Sequence, residues 1–173
     1  LNPRSGSIDS QRSDALVFFG ATGDLAYKEI FPALQGLVQR NRLDVPIIGV
    51  ARSGWDLERL RQRAHDSVAE HAKQHGKLDE EAFAKLSGLL RYIDGDYNDP
   101  RTFQRLRKEL GDAERPLHYL AIPPSMFATV TEGLAKAGCI RNARVIVEKP
   151  FGRDLASARE LNKILHRHLP EDR

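Results

Sequence analysis

Directly after the apolar run Ala15 to Phe19 comes Gly20-Ala21-Thr22-Gly23-Asp24-Leu25, a set of residues suited to holding phosphate. Glycines in a strand-to-helix turn leave out β-carbons that would block a pyrophosphate, and the following helix offers free amides and the positive end of its dipole. A dinucleotide would sit there. The generic fingerprint G-x-G-x-x-G is matched poorly, with Thr22 at its middle glycine and Leu25 at its last. Taken alone, the turn reads equally well as ordinary turn chemistry.

A second group, Arg52, Ser53 and Gly54, closes another apolar run. Sites for NAD place a carboxylate at this point to accept from the ribose hydroxyls. Here a guanidinium and a hydroxyl stand instead. Arg52 could pair with a 2′-phosphate and stack on adenine, where a carboxylate would repel the phosphate, so NADP is preferred over NAD. By itself Arg52 also reads as a solvated loop residue. Lys149, after the run Ala143 to Val147, could hydrogen-bond a sugar hydroxyl and the nicotinamide side of a cofactor, although lone lysines at strand ends are mostly solvated. His71 and His75 are four apart, but no Glu follows His71 and no thiolate is near, so they read as a solvated helix face and no metal is expected.

The elements that would position these groups alternate. Strands are expected at Ala15 to Phe19, Val45 to Ala51, Leu90 to Ile93, Leu117 to Ile122 and Ala143 to Val147. Between them, helical spacing joins Leu25, Ile30, Leu34, Leu37 and Val38, with Pro32 kinking that helix or dividing it into two pieces. Asp56 caps a helix carrying Leu57, Leu60, Ala64, Val68 and Ala72, which Gly76 ends; another spans Leu78 to Leu90. A helix with Phe103, Leu106 and Leu110 follows Pro100, and Ser125 caps one running through Met126, Val130 and Leu134. Asp154 caps a last helix bearing Leu155, Ala158, Leu161, Leu165 and Leu169. The alternation implies an α/β fold: a doubly wound, mostly parallel, Rossmann-like sheet with helices on both faces. No catalytic constellation is visible between Leu57 and Leu110.

With 173 residues, 40% of them hydrophobic and 29% charged, the chain is large and apolar enough for one globular domain. Residues 1–13 are polar and read as a flexible tail, leaving 14–173 as the dinucleotide-binding domain. A net charge of +3 without a basic block argues against nucleic acid and suits phosphorylated ligands. No apolar run approaches the roughly 18 residues of a membrane span. The lone Cys139 permits no internal disulfide, and a reducing cytoplasm is expected. The sequence does not begin with Met, so a portion of a longer chain is expected.

Three strings in order resemble glucose-6-phosphate dehydrogenases: Gly20-Ala-Thr-Gly-Asp-Leu-Ala26 with Pro32-Ala33-Leu34, then Tyr119-Leu-Ala121 with Pro123-Pro124, then Glu148-Lys-Pro-Phe-Gly-Arg-Asp-Leu155. The resemblance implies cofactor contacts at Gly20, Ala21, Thr22, Gly23, Asp24, Leu25, Arg52, Ser53, Ala121, Pro123, Phe127 and Lys149. It also gives Lys149 a contact with glucose 6-phosphate and makes the bond before Pro150 a candidate cis peptide. It implies oxidation of glucose 6-phosphate at C1 with hydride passed to NADP, in the pentose phosphate pathway. The family's base is a histidine in Arg-Ile-Asp-His-Tyr-Leu-Gly-Lys, and these residues do not contain that motif; the chain is expected to bind nucleotide without turnover and to lack a catalytic residue of its own. Homo-oligomers are implied for the full-length protein, through a second domain. One departure is Tyr27-Lys28-Glu29, where the family carries lysines: Glu29 reverses a charge, which would weaken binding. Other readings are a different Rossmann sugar reductase or a non-catalytic nucleotide-binding module. A P-loop NTPase is not expected, since no Gly-Lys-Ser/Thr follows the turn.

Overall fold

A computed structural model describes residues 12–147 and 163. Five strands, β1 (Ala15–Phe19), β2 (Ile47–Ala51), β3 (Leu90–Asp94), β4 (Pro116–Leu120) and β5 (Arg144–Val147), form one sheet in the order β3-β2-β1-β4-β5, with every pairing parallel. Parallel neighbours need crossovers, and helices supply them. A π-helical segment (Ala26–Ile30) leads into α1 (Phe31–Gln39); α2 (Leu57–His75), α3 (Glu80–Leu89), α4 (Pro100–Leu110) and α5 (Phe127–Lys136) follow.

The sheet separates two cores. Phe18, Ile47 and Ala51 pack with Phe31 and Leu34 of α1, Leu60 and Ala64 of α2, and Leu86 of α3. On the opposite face Val17, Phe19, Ile48 and Val50 pack with Phe103 and Leu106 of α4 and with Phe127 and Val130 of α5. Successive strand residues point to opposite faces, so a strand buried on both sides must be apolar throughout, as Leu16 to Phe19 and Ile47 to Val50 are. Helices α1 to α3 cover the face over which the chain runs from β1 to β3; it then crosses back under α4 to β4. The order therefore reverses between β1 and β4, which is where open α/β sheets form a ligand crevice.

Local expectations hold with adjustments. Pro32 divides the first helix: it is accepted near the start of α1, and the turn before it widens to π geometry. The second strand begins at Ile47 instead of Val45, and α3 begins at Glu80, capped by the Asp79 carboxylate accepting from Ala82 N–H at 3.0 Å. Asp56 caps α2 as expected, accepting from Arg59 N–H at 2.9 Å. Ser125 does not cap: Pro124–Met126 form a 3₁₀ turn, and α5 starts after Met126 with no side-chain cap bond. A proline pair tightens the chain there and carries Ser125 into the turn, away from the position from which a cap would reach. Glu148, Lys149, the bond before Pro150, Asp154 and the last amphipathic stretch lie outside the described residues, as does the tail up to residue 11. No described helix is long and apolar enough to cross a membrane.

Candidate dinucleotide site

At the carboxyl end of β1 the chain turns through Gly20, whose φ is +83°. A β-carbon there would lie 2.1 Å from the Ala121 carbonyl oxygen. Only glycine fits, and the main reason is the neighbouring strand: the turn presses against the end of β4, where Ala121 N–H donates to Phe19 O at 3.1 Å. Gly23 N–H closes the turn on Gly20 O at 3.0 Å, and the first helical bond runs from Tyr27 N–H to Gly23 O at 3.2 Å. Thr22, Asp24 and Leu25 stand ahead of that bond, at least partly exposed, so the first-turn amides face the crevice mouth without helical acceptors. Ala21 is buried beneath them.

The second group meets the first here. Thr22 Oγ1 and Ser53 Oγ are 2.6 Å apart, although 31 residues separate them in sequence. The loop after β2 is held by Asp94 at the end of β3, whose Oδ1 accepts from the amides of Ser53 at 2.9 Å and Gly54 at 3.0 Å and from the Tyr92 hydroxyl at 2.7 Å. Burial alone would raise the Asp94 pKa; the amides of Ser53, Gly54 and Trp55 and the Tyr92 hydroxyl together outweigh it and hold the carboxyl below its ordinary value. Arg52 reaches out from this loop and gives one guanidinium nitrogen, Nη1, to Asp96 Oδ2 at 2.9 Å.

Tyr97 ties the two loops underneath. Its hydroxyl accepts from Gly20 N–H at 2.8 Å and donates to Val50 O at 3.1 Å, and burial pushes the phenol up to about 12, so it stays protonated. Asp94, Asp96 and Tyr97 lie in the stretch from Leu57 to Leu110, which shows no catalytic constellation in sequence; their part is to hold the loops after β1 and β2, and sequence reasoning did not single them out. Their only sequence signal is a turn rich in Asp and Tyr directly after β3, the strand beside β2.

Other expected residues are placed as follows. Ala121, whose carbonyl oxygen lies against the Gly20 turn, and the exposed Pro123 follow the carboxyl end of β4. Phe127 is 1% exposed, its ring inside the core under α5. Glu29 is exposed on the π-helical segment, and Lys149 lies outside the described residues. His71 and His75 stack on the exposed face of α2, ring centroids 4.3 Å apart. Among the described residues no group of three or more His, Cys, Asp and Glu is placed to hold a metal.

The arrangement fits a dinucleotide. Open first-turn amides, the paired Thr22 and Ser53 hydroxyls and the exposed Arg52 guanidinium form a donor set for phosphates, at the reversal of strand order.

Comparison with known proteins agrees. The family described as glucose-6-phosphate dehydrogenase, NAD binding domain, matches residues 17–173. Glucose-6-phosphate 1-dehydrogenase 1 of Mycobacterium bovis is 45% identical over 160 residues, covering 92% of this chain and 34% of that protein. A crystal structure of glucose-6-phosphate 1-dehydrogenase from Mycobacterium avium superposes with a TM-score of 0.87 at 45% identity, over 93% of this chain and 35% of that one. A glucose-6-phosphate dehydrogenase solved in complex with its substrate glucose-6-phosphate gives 0.80 at 34% identity, over 92% of this chain and 35% of that one. The chain thus spans about a third of the length of the relatives it matches.

Proposed function

Because the chain belongs to the glucose-6-phosphate dehydrogenase family through its NAD binding domain, we propose that it is the NADP-binding portion of an enzyme that oxidises glucose 6-phosphate at C1 to 6-phosphogluconolactone. The observation that carries the cofactor assignment is the contact of Thr22 with Ser53, which sets Arg52 beside the glycine turn at the strand-order reversal. Bound there, NADP supplies the hydride acceptor. The first-turn amides of Thr22, Asp24 and Leu25 hold the pyrophosphate, and the crevice wall at Ala121 and Pro123 confines the nicotinamide half. Arg52 pairs with the 2′-phosphate through the guanidinium edge that Asp96 leaves open, and Ser53 and Thr22 add hydroxyl donors. Lys149 is assigned the contact to both sugar and cofactor that the family motif implies.

The histidine that takes the C1 hydroxyl proton belongs to a motif these 173 residues do not contain, so the chain by itself binds nucleotide without turnover. A lone buried thiol, Cys139, suits the cytoplasm as compartment. Calorimetric titration of the chain with NADP and with NAD tests the cofactor reading. NADP is expected to bind more tightly, and Arg52→Ala is expected to remove that advantage while leaving NAD binding in place. Equal loss of both nucleotides, or no change for either, would refute the role of Arg52.

A further inference from the structure

The Arg52 guanidinium already has an anion. Asp96 Oδ2 accepts from Nη1 at 2.9 Å, with the arginine side chain 74% exposed and the aspartate 35%. The two partners are held very differently. Asp96 Oδ1 accepts from the Asn98 amide at 2.9 Å and from Asn98 Nδ2 at 3.2 Å. Its own carbonyl accepts from Thr102 Oγ1 at 2.8 Å and from Asp99 N–H at 3.1 Å, which fastens the residue to the first turn of α4. The Asn98 amide is the first cause holding this carboxyl below its ordinary value, with Arg52 contributing, so it is ionised at neutral pH. Asp96 is therefore a negative charge held by several bonds, and Arg52 is the more exposed partner, bonded through Nη1.

Two consequences follow for a nucleotide. An anion bound by the same rigid guanidinium lies well inside the screening length of about 10 Å from Asp96, so the carboxylate opposes a 2′-phosphate and offsets part of the charge Arg52 offers it. A ribose 2′-hydroxyl is a donor, and a carboxylate near a second-strand loop is the group that NAD sites use to accept from it. Arg52 and Asp96 supply both kinds of partner at one place.

We propose that Asp96 is a specificity-determining residue of this site: beside Arg52 it weakens NADP, gives NAD an acceptor, and leaves the chain able to take both dinucleotides with a narrow preference. This rests on Arg52 facing the 2′ position, as argued above. The test is calorimetric titration of NADP and NAD into the chain, Asp96→Asn, Arg52→Ala and the double variant, at two salt concentrations. Asparagine keeps Oδ1 as the acceptor for the Asn98 amide and puts an NH2 where Oδ2 accepts from Arg52, so it removes the charge and the Arg52 pairing together. Asp96→Asn is expected to tighten NADP roughly three- to tenfold at low salt, less at high salt, and to leave NAD the same or weaker. In the Arg52→Ala background Asp96→Asn still tightens NADP by relieving direct repulsion, but by less. Should Asp96→Asn not fold, Asp96→Ser is expected to move the ratio the same way. An unchanged NADP-to-NAD ratio in the charge-removing variants, with Arg52→Ala still losing NADP, overturns the role of Asp96 and leaves the cofactor reading standing. If Arg52→Ala loses nothing, or neither nucleotide binds the folded chain, the cofactor reading fails and this inference with it.

Discussion

Pro32 leaves a carbonyl without a backbone donor, and Ser67 on α2 is the residue that answers it. Phe31 N–H donates to Ala26 O, five residues back, so it is not available to Tyr27 O. The next residue is proline and has no N–H, so neither α nor π geometry can satisfy Tyr27 O from the backbone. Ser67 Oγ donates to it across the helix pair, from a residue only 2% exposed. Ser67→Ala removes the hydroxyl and leaves this part-buried carbonyl beside a methyl, without its donor. An unsatisfied buried acceptor costs about 1–3 kcal/mol. Taking about 2 kcal/mol, a chain of this size should lose roughly 4–8 °C of melting temperature. Urea denaturation of four proteins, the original chain, Ser67→Ala, Pro32→Ala and the double variant, isolates the coupling. In the Pro32→Ala background the helix regains an N–H, and Tyr27 O a backbone donor, so Ser67→Ala should then cost less than about 1 kcal/mol. A cost for Ser67→Ala that is the same in both backgrounds would refute the account.

Three further outcomes follow from the same geometry. Gly20→Ala combines a left-handed φ with a 2.1 Å approach to Ala121 O, so it should destabilise by about 3 kcal/mol or more; a urea midpoint near that of the original would show that the turn can yield. Tyr97→Phe should cost only about 0.5–1.5 kcal/mol, because Gly20 N–H keeps Val50 O at 2.9 Å as a second acceptor, and a loss beyond about 3 kcal/mol in urea denaturation would mean the hydroxyl holds more than these two groups. His118 is fully buried on β4, and burial lowers it from 6.5 to about 4, against a smaller opposing effect of its bond to Cys139 O. The unfolded chain therefore binds the proton first, so this contribution is complete above pH 6.5 and is lost as pH falls towards 4, about 3 kcal/mol in all. Urea denaturation at pH 7 and pH 4.5 should show a smaller difference for His118→Gln than for the original chain, and an identical difference would count against it.

The alternation of apolar strands and amphipathic helices was legible in the residues because the central strands β1 and β2 are buried on both faces, which leaves an unbroken apolar run between turn signals. So was the glycine turn, since a chain that must reverse hard against a neighbouring strand has little choice but Gly20. The family strings were legible as well, and with them the glycine turn and the segment from Ala121 to Pro123 after β4. What the sequence could not carry is what meets across the sheet. Gly20 touches Tyr97 across 77 residues, Ser53 touches Asp94 across 41, and Arg52 touches Asp96 across 44. Those partners stand together only because β3 lies beside β2 and β2 beside β1, so that the three carboxyl ends open on one edge. The same holds for Phe127, which the motif places near the cofactor while α5 turns its ring into the core. Local pattern determines which segments become strands and which residues can line a turn. Strand order, set by packing both faces of the sheet at once, decided which carboxylates and hydroxyls those turns would share.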